Sequence, residues 1–313
     1  MALPITPPKK LEETPDNIRT RVELMVMRVQ AQVCKALEKE DDCSTFVVDR
    51  WHNDKTTGGV NCILQNGKVF ETAAINIFVS SGNSTETELP FFSAGISGVI
   101  HPKNPMIPSI NFNYQYIEVK GDNRVQWWFG GSTDLTPNYL NTADAVHFHS
   151  TLKKVCDKHD MSYYPKFKKW CDDYFNIPHR GERLGIGGIY FDDLKTPNQD
   201  ACFKFAADCA DAVIPSYIPL VQRHKHATYT QAERNWQLHR RGRYVEFKLI
   251  YDRSSKFGSG ARSGDILMTL PLVARWEYMY QINATSPEGE LLAVLRKPKD
   301  WIEECSCSDH LKE

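Results

Sequence analysis

The sequence predicts an α+β protein with a mostly antiparallel β-sheet covered by helices. Three observations support this: strand patterns fill residues 60–129 after one long helix, helices follow, and strand patterns return near the end. The chain has 313 residues, 41% of them hydrophobic, which is enough for one large core. Without internal repeats or low-complexity linkers, we expect a single domain over residues 1–313, with residues 1–14 as a flexible N-terminal segment.

The first elements follow from periodicity and turn signals. Residues 15–40 carry apolar side chains at helical spacing. Asn66-Gly67 lies between two strand patterns, residues 60–64 and 69–79, and this dipeptide is a strong hairpin signal. Further strands are predicted at residues 94–100, 109–119 and 125–129.

The strand at residues 109–119 alternates in character and bears on function. One side is aromatic and aliphatic, with Ile110, Phe112, Tyr114 and Tyr116. The other side is largely polar, with Asn111, Asn113, Gln115 and Ile117. One apolar and one polar face are expected of a strand that lines a wet cleft.

The second half is predicted to begin with helices and to end with strands. Helices are expected at about residues 142–159, 163–176, 202–213 and 230–241. Strands are expected at residues 189–191, 243–251 and 266–270, with a further one near 274–278.

Composition limits the partners and the compartment. Lys and Arg number 38 against 39 Asp and Glu, a net charge of −1, so we expect no nucleic-acid partner. No apolar run approaches the roughly 20 residues that a membrane span needs. The nine cysteines are scattered without a CxxC pair, which indicates a reducing compartment. With no export or transit pattern at the N-terminus, we expect a cytoplasmic protein.

Common catalytic motifs are absent. The glycine-rich residues 185–188 precede a strand, whereas a dinucleotide-binding loop precedes a helix. Residues 258–264 lack the Gly-Lys-Ser/Thr ending of a phosphate loop, and neither HExxH nor GxSxG occurs. These absences argue against nucleotide-binding, zinc-protease and serine-hydrolase functions.

Several charged residues are candidates for binding an anionic, aromatic small molecule. Arg262 lies in a glycine-rich loop and can form a bidentate pair with a carboxylate, although surface arginines are more often simply solvated. Asp134 and Asp252 are predicted to follow strands and to accept hydrogen bonds from ring N–H groups; a helix cap and a salt bridge are their ordinary alternatives. His101 precedes Pro102 where the chain leaves a strand, a common place for site residues.

Longer motifs resemble those of oxygen-dependent coproporphyrinogen III oxidases. The signature is KWCDDYF at residues 169–175, HRGER at 179–183 and GIGGIYFDD at 185–193. The surrounding blocks agree in order: residues 91–105 (FFSAGISGVIHPKNP), 127–137 (WWFGGSTDLTP), 240–247 (RRGRYVEF) and 266–278. The resemblance extends from about residue 90 to the C-terminus.

The resemblance implies a fold, a reaction and a set of site residues. The fold is a homodimer whose subunits place an antiparallel sheet between layers of helices. The reaction converts coproporphyrinogen III to protoporphyrinogen IX with molecular oxygen as co-substrate and without any cofactor. The implied substrate contacts are Ser97, Asn113, Tyr114, Gln115, Gly260, Ala261 and Arg262. Asp134, Asp252 and Arg253 match family residues in or near the cleft, and we take them with Asn111 as catalytic candidates.

Two positions depart from the family pattern. Asn111 stands where the family typically has a histidine assigned as proton donor, and an amide cannot exchange protons near neutral pH. Gln115 stands where the family typically has an arginine, which removes one positive charge from propionate binding. Two other functions stay open: a metal-dependent oxygenase using His101, His149 and His179, and a tetrapyrrole-binding protein without catalysis. The absence of a histidine at position 111 weakens the first, whereas both departures are compatible with the second.

Overall fold

The computed structural model describes residues 4–53, 56–83, 89–121, 124–252 and 267–302. The first half contains α1 (Pro8–Glu13), α2 (Ile18–Asp41), β1 (Val47–His52), β2 (Thr57–Gln65), β3 (Phe70–Asn83), β4 (Pro90–Pro102), β5 (Ser109–Lys120) and β6 (Val125–Thr136). The second half contains α3 (Thr142–His159), α4 (Tyr163–Tyr174), β7 (Asn176–Ile177), β8 (Glu182–Arg183), β9 (Gly188–Leu194), α5 (Gln199–Asp211), α6 (Val213–His224), α7 (Gln231–Glu246) and α8 (Pro287–Arg296). A π-helical turn, Phe247–Tyr251, continues α7.

Seven strands form one sheet in the order β1-β2-β3-β4-β5-β6-β9, and every neighbouring pair is antiparallel. β2 and β3 form the hairpin predicted at Asn66-Gly67, where Asn66 has a φ of 57°. Asparagine tolerates this left-handed conformation better than most residues. The antiparallel α+β architecture predicted from the sequence is confirmed.

One face of the sheet packs on helices and forms the main core. The apolar side of β5 is fully buried there, together with Val22, Val26 and Val33 of α2. Gln30 of α2 is also buried, and its Nε2 donates to the carbonyl oxygens of Val60 (2.9 Å) and Ile75 (2.8 Å). These two hydrogen bonds link α2 to β2 and β3, and they satisfy the buried amide nitrogen of Gln30.

The opposite face is partly covered by a second, smaller cluster. Val99 of β4 packs there with Tyr244 of α7 and Phe247 of the π-helical turn. Phe175, just after α4, belongs to the same cluster. Helices therefore lie on both faces of the sheet. The charged and polar groups described below lie beside this cluster.

Most predicted elements are confirmed, with shifted ends. The helices predicted at residues 15–40, 142–159 and 163–176 correspond to α2, α3 and α4. The predicted helix near 202–213 is α5, and the strand at 189–191 is the centre of β9. The predicted single domain over 1–313 with a flexible 1–14 stays a prediction; within that segment residues 8–13 form α1 and Leu11 is buried.

The strand predictions near the end are wrong. Residues 243–251 are helical, because α7 extends to Glu246 and continues as the π-helical turn. Residues 267–268 form a helical turn and residues 274–278 form no regular strand, while residue 266 lies outside the described residues. In the first half, β6 extends to Thr136, so Asp134 lies inside a strand. In the part of the chain that the structure describes, no helix has the length and apolar character needed to cross a bilayer.

Candidate active site

A row of polar side chains crosses the sheet on the face opposite the main core. The register pairs Asn113 of β5 with Ser97 of β4 on one side and with Ser132 of β6 on the other. Directly opposed residues of antiparallel strands project to the same face. The same register extends the row over six strands: Asn61, Asn76, Ser97, Asn113, Ser132 and Tyr190. The polar face predicted for β5 is therefore part of a larger polar surface.

Asn111 and Asp134 form a buried pair at one end of this face. They are directly opposed in β5 and β6, and Asn111 Nδ2 donates a 2.8 Å hydrogen bond to Asp134 Oδ1. Asp134 is only 2% exposed and Asn111 is 9% exposed. Two of the predicted catalytic candidates are thus in direct contact.

The carboxyl group of Asp134 titrates near neutrality. Burial is the main cause and raises its pKa to about 7 from the ordinary 3.8. The hydrogen bond from Asn111 and the charge of Lys248 act in the opposite direction, and the charge of Asp252 raises the pKa further. A carboxyl group with this pKa can both hold and release a proton at physiological pH.

Asp252 follows the π-helical turn and lies in the same cluster. Lys248 Nζ donates to Asp252 Oδ2 at 2.7 Å, and the Tyr174 hydroxyl donates to Asp252 Oδ1 at 3.0 Å. Burial disfavours the charged form of Lys248, but the acidic groups of Tyr244, Asp252 and Asp134 raise its pKa overall above the ordinary value. Among the described residues, Asp252 is therefore held by the ammonium group of Lys248 and the hydroxyl group of Tyr174. The next residue, Arg253, lies outside the described residues.

Lys248 and Tyr174 are site residues that sequence reasoning missed. The four-residue spacing of Lys248 and Asp252 is the usable signal, because on a helical segment it brings the two side chains together. In the predicted strand over 243–251, three extended residues would stand between Lys248 and Asp252 and keep their side chains apart. Tyr174 stacks on Tyr190 with ring centroids 4.2 Å apart, so α4 brings its hydroxyl group to the same corner.

The predicted substrate contacts divide between the two faces. Ser97 and Asn113 lie on the polar face. Tyr114 points into the main core, where its hydroxyl group lies 2.6 Å from Thr133 Oγ1. Any contact of Tyr114 with a ligand on the polar face would therefore come from its backbone. Gly260, Ala261 and Arg262 lie outside the described residues.

Gln115 lies further along the polar face, beside Gly130 of β6. A Cβ atom added to Gly130 would lie 3.3 Å from Gln115 Nε2 and 3.2 Å from Asp192 Oδ1. The amide of Gln115 and the carboxylate of Asp192 therefore border the same small gap in the sheet. Burial raises the pKa of Asp192 above its ordinary value.

His101 and His149 occupy separate buried positions. His101 lies 3.3 Å from Ser109 Oγ and 3.1 Å from the carbonyl oxygen of Thr269. His149 lies 2.9 Å from the Tyr164 hydroxyl and 3.1 Å from the carbonyl oxygen of Ile186. Burial lowers the pKa of both to about 3, so both imidazoles are neutral.

His179 lies at a third position, between Tyr251 and Glu246. Its ring nitrogens are 2.7 Å from the Tyr251 hydroxyl and 2.9 Å from Glu246 Oε2. Over the described ranges, no three His, Cys, Asp or Glu side chains are grouped so that they could hold a metal ion. Each of the three imidazoles has its own protein partners, so the structure does not bring His101, His149 and His179 together, and whether a metal takes part stays a prediction.

A polar sheet face that ends in a buried cluster of two carboxyl groups, an amide and a lysine is typical of an enzyme acting on a small molecule. Residues 21–301 match the family model described as coproporphyrinogen III oxidase. The chain belongs to this family, as its motifs predicted.

Curated relatives agree over most of the chain. An oxygen-dependent coproporphyrinogen-III oxidase of Drosophila melanogaster is 54% identical over 96% of this chain and 83% of its own length. The human oxygen-dependent coproporphyrinogen-III oxidase, mitochondrial, is 52% identical over 96% of this chain and 71% of its own length. A chloroplastic relative of Glycine max is 45% identical over 91% of this chain and 80% of its own length.

The names of two of these relatives contradict the predicted cytoplasmic location. The human relative is named mitochondrial and the relative of Glycine max chloroplastic. The prediction rested on scattered thiols and on the absence of a recognised targeting pattern. Scattered thiols indicate only a reducing environment, which several compartments share.

Proposed function

We propose that this chain is an oxygen-dependent coproporphyrinogen III oxidase that acts in haem and porphyrin biosynthesis. It oxidatively decarboxylates two propionate groups of coproporphyrinogen III to vinyl groups and so produces protoporphyrinogen IX. The observation that carries this proposal is the family match over residues 21–301, together with relatives of that name at 44–54% identity.

The overall chemistry balances with oxygen as the oxidant. Each propionate, CH2CH2COOH, loses its carboxyl carbon as CO2 and becomes CH=CH2. The two electrons and two protons that are lost reduce one O2 to H2O2. The electron-rich pyrroles of the reduced ring can react with oxygen directly, so we propose that neither a metal nor an organic cofactor takes part.

The buried cluster supports a division of roles in this reaction. Asp252, paired with Lys248, is suited to accept hydrogen bonds from pyrrole N–H groups. Asp134 can exchange a proton with the ring near neutral pH. Asn111 cannot take part in proton transfer, and we assign to it the orientation of Asp134.

The propionate groups need separate binding partners. Ser97 and Asn113 offer hydrogen bonds on the polar face, and Gln115 offers an amide in place of a charge. We propose that Arg253 and Arg262 supply the cationic contacts, as the family motifs imply. Loss of a bidentate arginine contact should cost about 2–5 kcal/mol of substrate affinity. For Arg262→Ala this predicts a raised KM, and unchanged KM and kcat would remove Arg262 from the mechanism.

We also propose that the chain forms a homodimer, and two features support this. β1 is an edge strand of the sheet and exposes Val47 and Val48, at 70% and 56%. Trp276 and Met279 are exposed as well, at 53% and 70%. Exposed apolar side chains on a sheet edge favour association. Analytical ultracentrifugation should give twice the chain mass, and Val48→Lys should shift the protein towards the monomer; a monomeric parent protein would contradict the proposal.

One experiment tests the reaction and separates the open alternatives. Chelator-treated protein is mixed anaerobically with coproporphyrinogen III, oxygen is admitted, and CO2 and the divinyl product are measured. Turnover without added metal supports the proposal. Turnover only after one metal is restored would indicate a metal-dependent oxygenase. Binding without CO2 release would indicate a tetrapyrrole-binding protein, the alternative that the asparagine at position 111 keeps open.

A further inference from the structure

Two buried carboxyl groups, those of Asp134 and Asp252, interact with one lysine in the candidate site. Lys248 Nζ donates a 2.7 Å hydrogen bond to Asp252 Oδ2, and the positive charge of Lys248 also lowers the pKa of Asp134. The contact with Asp252 is a direct hydrogen bond, whereas Asp134 receives its hydrogen bond from the neutral amide of Asn111. The ionised form of Asp252 is therefore stabilised more strongly than the ionised form of Asp134.

Three other titratable groups that the structure describes beside the cluster are neutral near pH 7. Burial raises the pKa of Tyr244 on α7 and of Cys171 on α4 above their ordinary values. Burial also lowers the pKa of His101 on β4 to about 3. Among the described residues, the charges that act on Asp134 are consequently those of Lys248 and Asp252.

Tyr174 adds a second hydrogen bond to Asp252 within the described part of the chain. Its hydroxyl group donates to the carboxylate oxygen that Lys248 does not bind. A carboxylate with both oxygens bonded to donors is stabilised in its ionised form. Asp134 accepts a single hydrogen bond in the described residues, from an uncharged donor, and is at least as deeply buried.

We propose that Lys248, assisted by Tyr174, is a positioning residue that keeps Asp252 ionised and leaves Asp134 as the carboxyl group that exchanges a proton. This inference deepens the function proposed above and rests on it for its catalytic consequence. It accounts for how a chain with asparagine at position 111 retains a proton-exchanging group beside the ring. The substrate class is a reduced tetrapyrrole. Its pyrrole N–H groups would donate to Asp252, and Asp134 would exchange a proton with the same ring.

The test begins with the substrate-free protein. Infrared difference spectroscopy follows the protonated carboxyl band from pH 5 to pH 9, and the loss of that band in Asp134→Asn assigns it. The parent protein should lose the band with a midpoint near pH 7. In Lys248→Met the midpoint should rise by about one pH unit or more, because a favourable charge is removed. Lys248→Arg should restore the parent midpoint, and Tyr174→Phe should cause a smaller shift than Lys248→Met.

Lys168→Met is the matched control. Lys168 forms the same four-residue salt bridge with Asp172, at 2.5 Å, and its side chain is 13% exposed, as is that of Lys248. The control should leave the midpoint and the pH profile of kcat/KM unchanged. In Lys248→Met the pH profile should move with the infrared midpoint, and kcat at pH 7 should fall about tenfold while KM changes less.

The outcomes separate this inference from the proposed function. An unchanged midpoint in Lys248→Met overturns the inference even if the parent protein is fully active. The expected midpoints in a parent protein without turnover would support the division of the two carboxyl groups and contradict the proposed function. If Lys248→Met does not fold, Lys248→Met/Asp252→Asn removes both charges of the pair. A folded double variant with parent activity would then overturn the inference.

Discussion

Replacing Asp134 by asparagine should stabilise the fold, and the gain should depend on pH. The ionised carboxylate of Asp134 is disfavoured by burial, which raises its pKa to about 7. In the unfolded chain the carboxyl group ionises near its ordinary pKa of 3.8. Below about pH 4 both states are protonated and burial has no electrostatic cost. Between about pH 4 and 7 the unfolded state has lost the proton and the folded state has kept it, so stability falls as pH rises.

The magnitude follows from the two pKa values. The difference of about three pH units corresponds to about 4 kcal/mol of free energy of unfolding above pH 7. Asparagine keeps the carbonyl oxygen that accepts from Asn111 Nδ2, so the packing and the hydrogen bond are retained. From pH 5 to pH 8 the stability gain of Asp134→Asn over the parent protein should therefore grow by about 2–3 kcal/mol.

Urea denaturation at pH 5, 6, 7 and 8, followed by tryptophan fluorescence, measures this difference. Asp173→Asn serves as the control, because that carboxylate is 56% exposed and pairs with Lys169 on the surface of α4. Its effect on the free energy of unfolding should stay small at each pH. A gain for Asp134→Asn that is constant with pH, or that shrinks as pH rises, would refute the reasoning.

Three further predictions concern position 111, the sheet and a helix end. Asn111→His should retain or improve turnover if Asn111 only positions groups; abolished turnover in a folded variant would contradict this role. Gly188→Ala should lower the free energy of unfolding, measured by urea denaturation, by about 3 kcal/mol, because the added Cβ would lie 1.9 Å from the carbonyl oxygen of Thr133. Gly181 has open space around it and a φ of 64°, so Gly181→Ala should lower the free energy of unfolding by only about 1–2 kcal/mol. Thr230→Ala removes the capping box of α7 and should cost about 1 kcal/mol in thermal unfolding, and a loss below the error of that measurement would count against the cap.

The polar face of the site was predictable from the sequence. Side chains alternate along a strand, so the spacing of Asn111, Asn113 and Gln115 in β5 placed them on one face before any contact was known. The hairpin at Asn66-Gly67 was predictable for a similar reason, since the whole turn consists of four consecutive residues, 65–68, and its conformation depends on them alone. Both features depend on short-range geometry, and both are confirmed.

The corner that contains Lys248 and Asp252 was not predictable in the same way. Residues 244–251 are rich in aromatic and branched side chains, which favour strands locally. In the folded chain Tyr244 and Phe247 both pack with Val99 of β4. Two residues three positions apart lie on the same face of a helix, so a helical segment allows both contacts. Tertiary packing overrode the local preference. The missed helix is the reason that Lys248 was not recognised as the partner of Asp252.

The sequence by itself determined the family, the alternating face of β5 and the identity of the two departures, Asn111 and Gln115. These are properties of residue order and of spacing within single elements. The tertiary structure decided that Asp134 meets Asn111, that Lys248 and Tyr174 hold Asp252, and that three histidines lie apart. The physical reason is that the ionisation of a side chain depends on its burial and on the charges near it. In this site the burial and the charges come from residues that are far apart in sequence, so they exist only once the chain has folded.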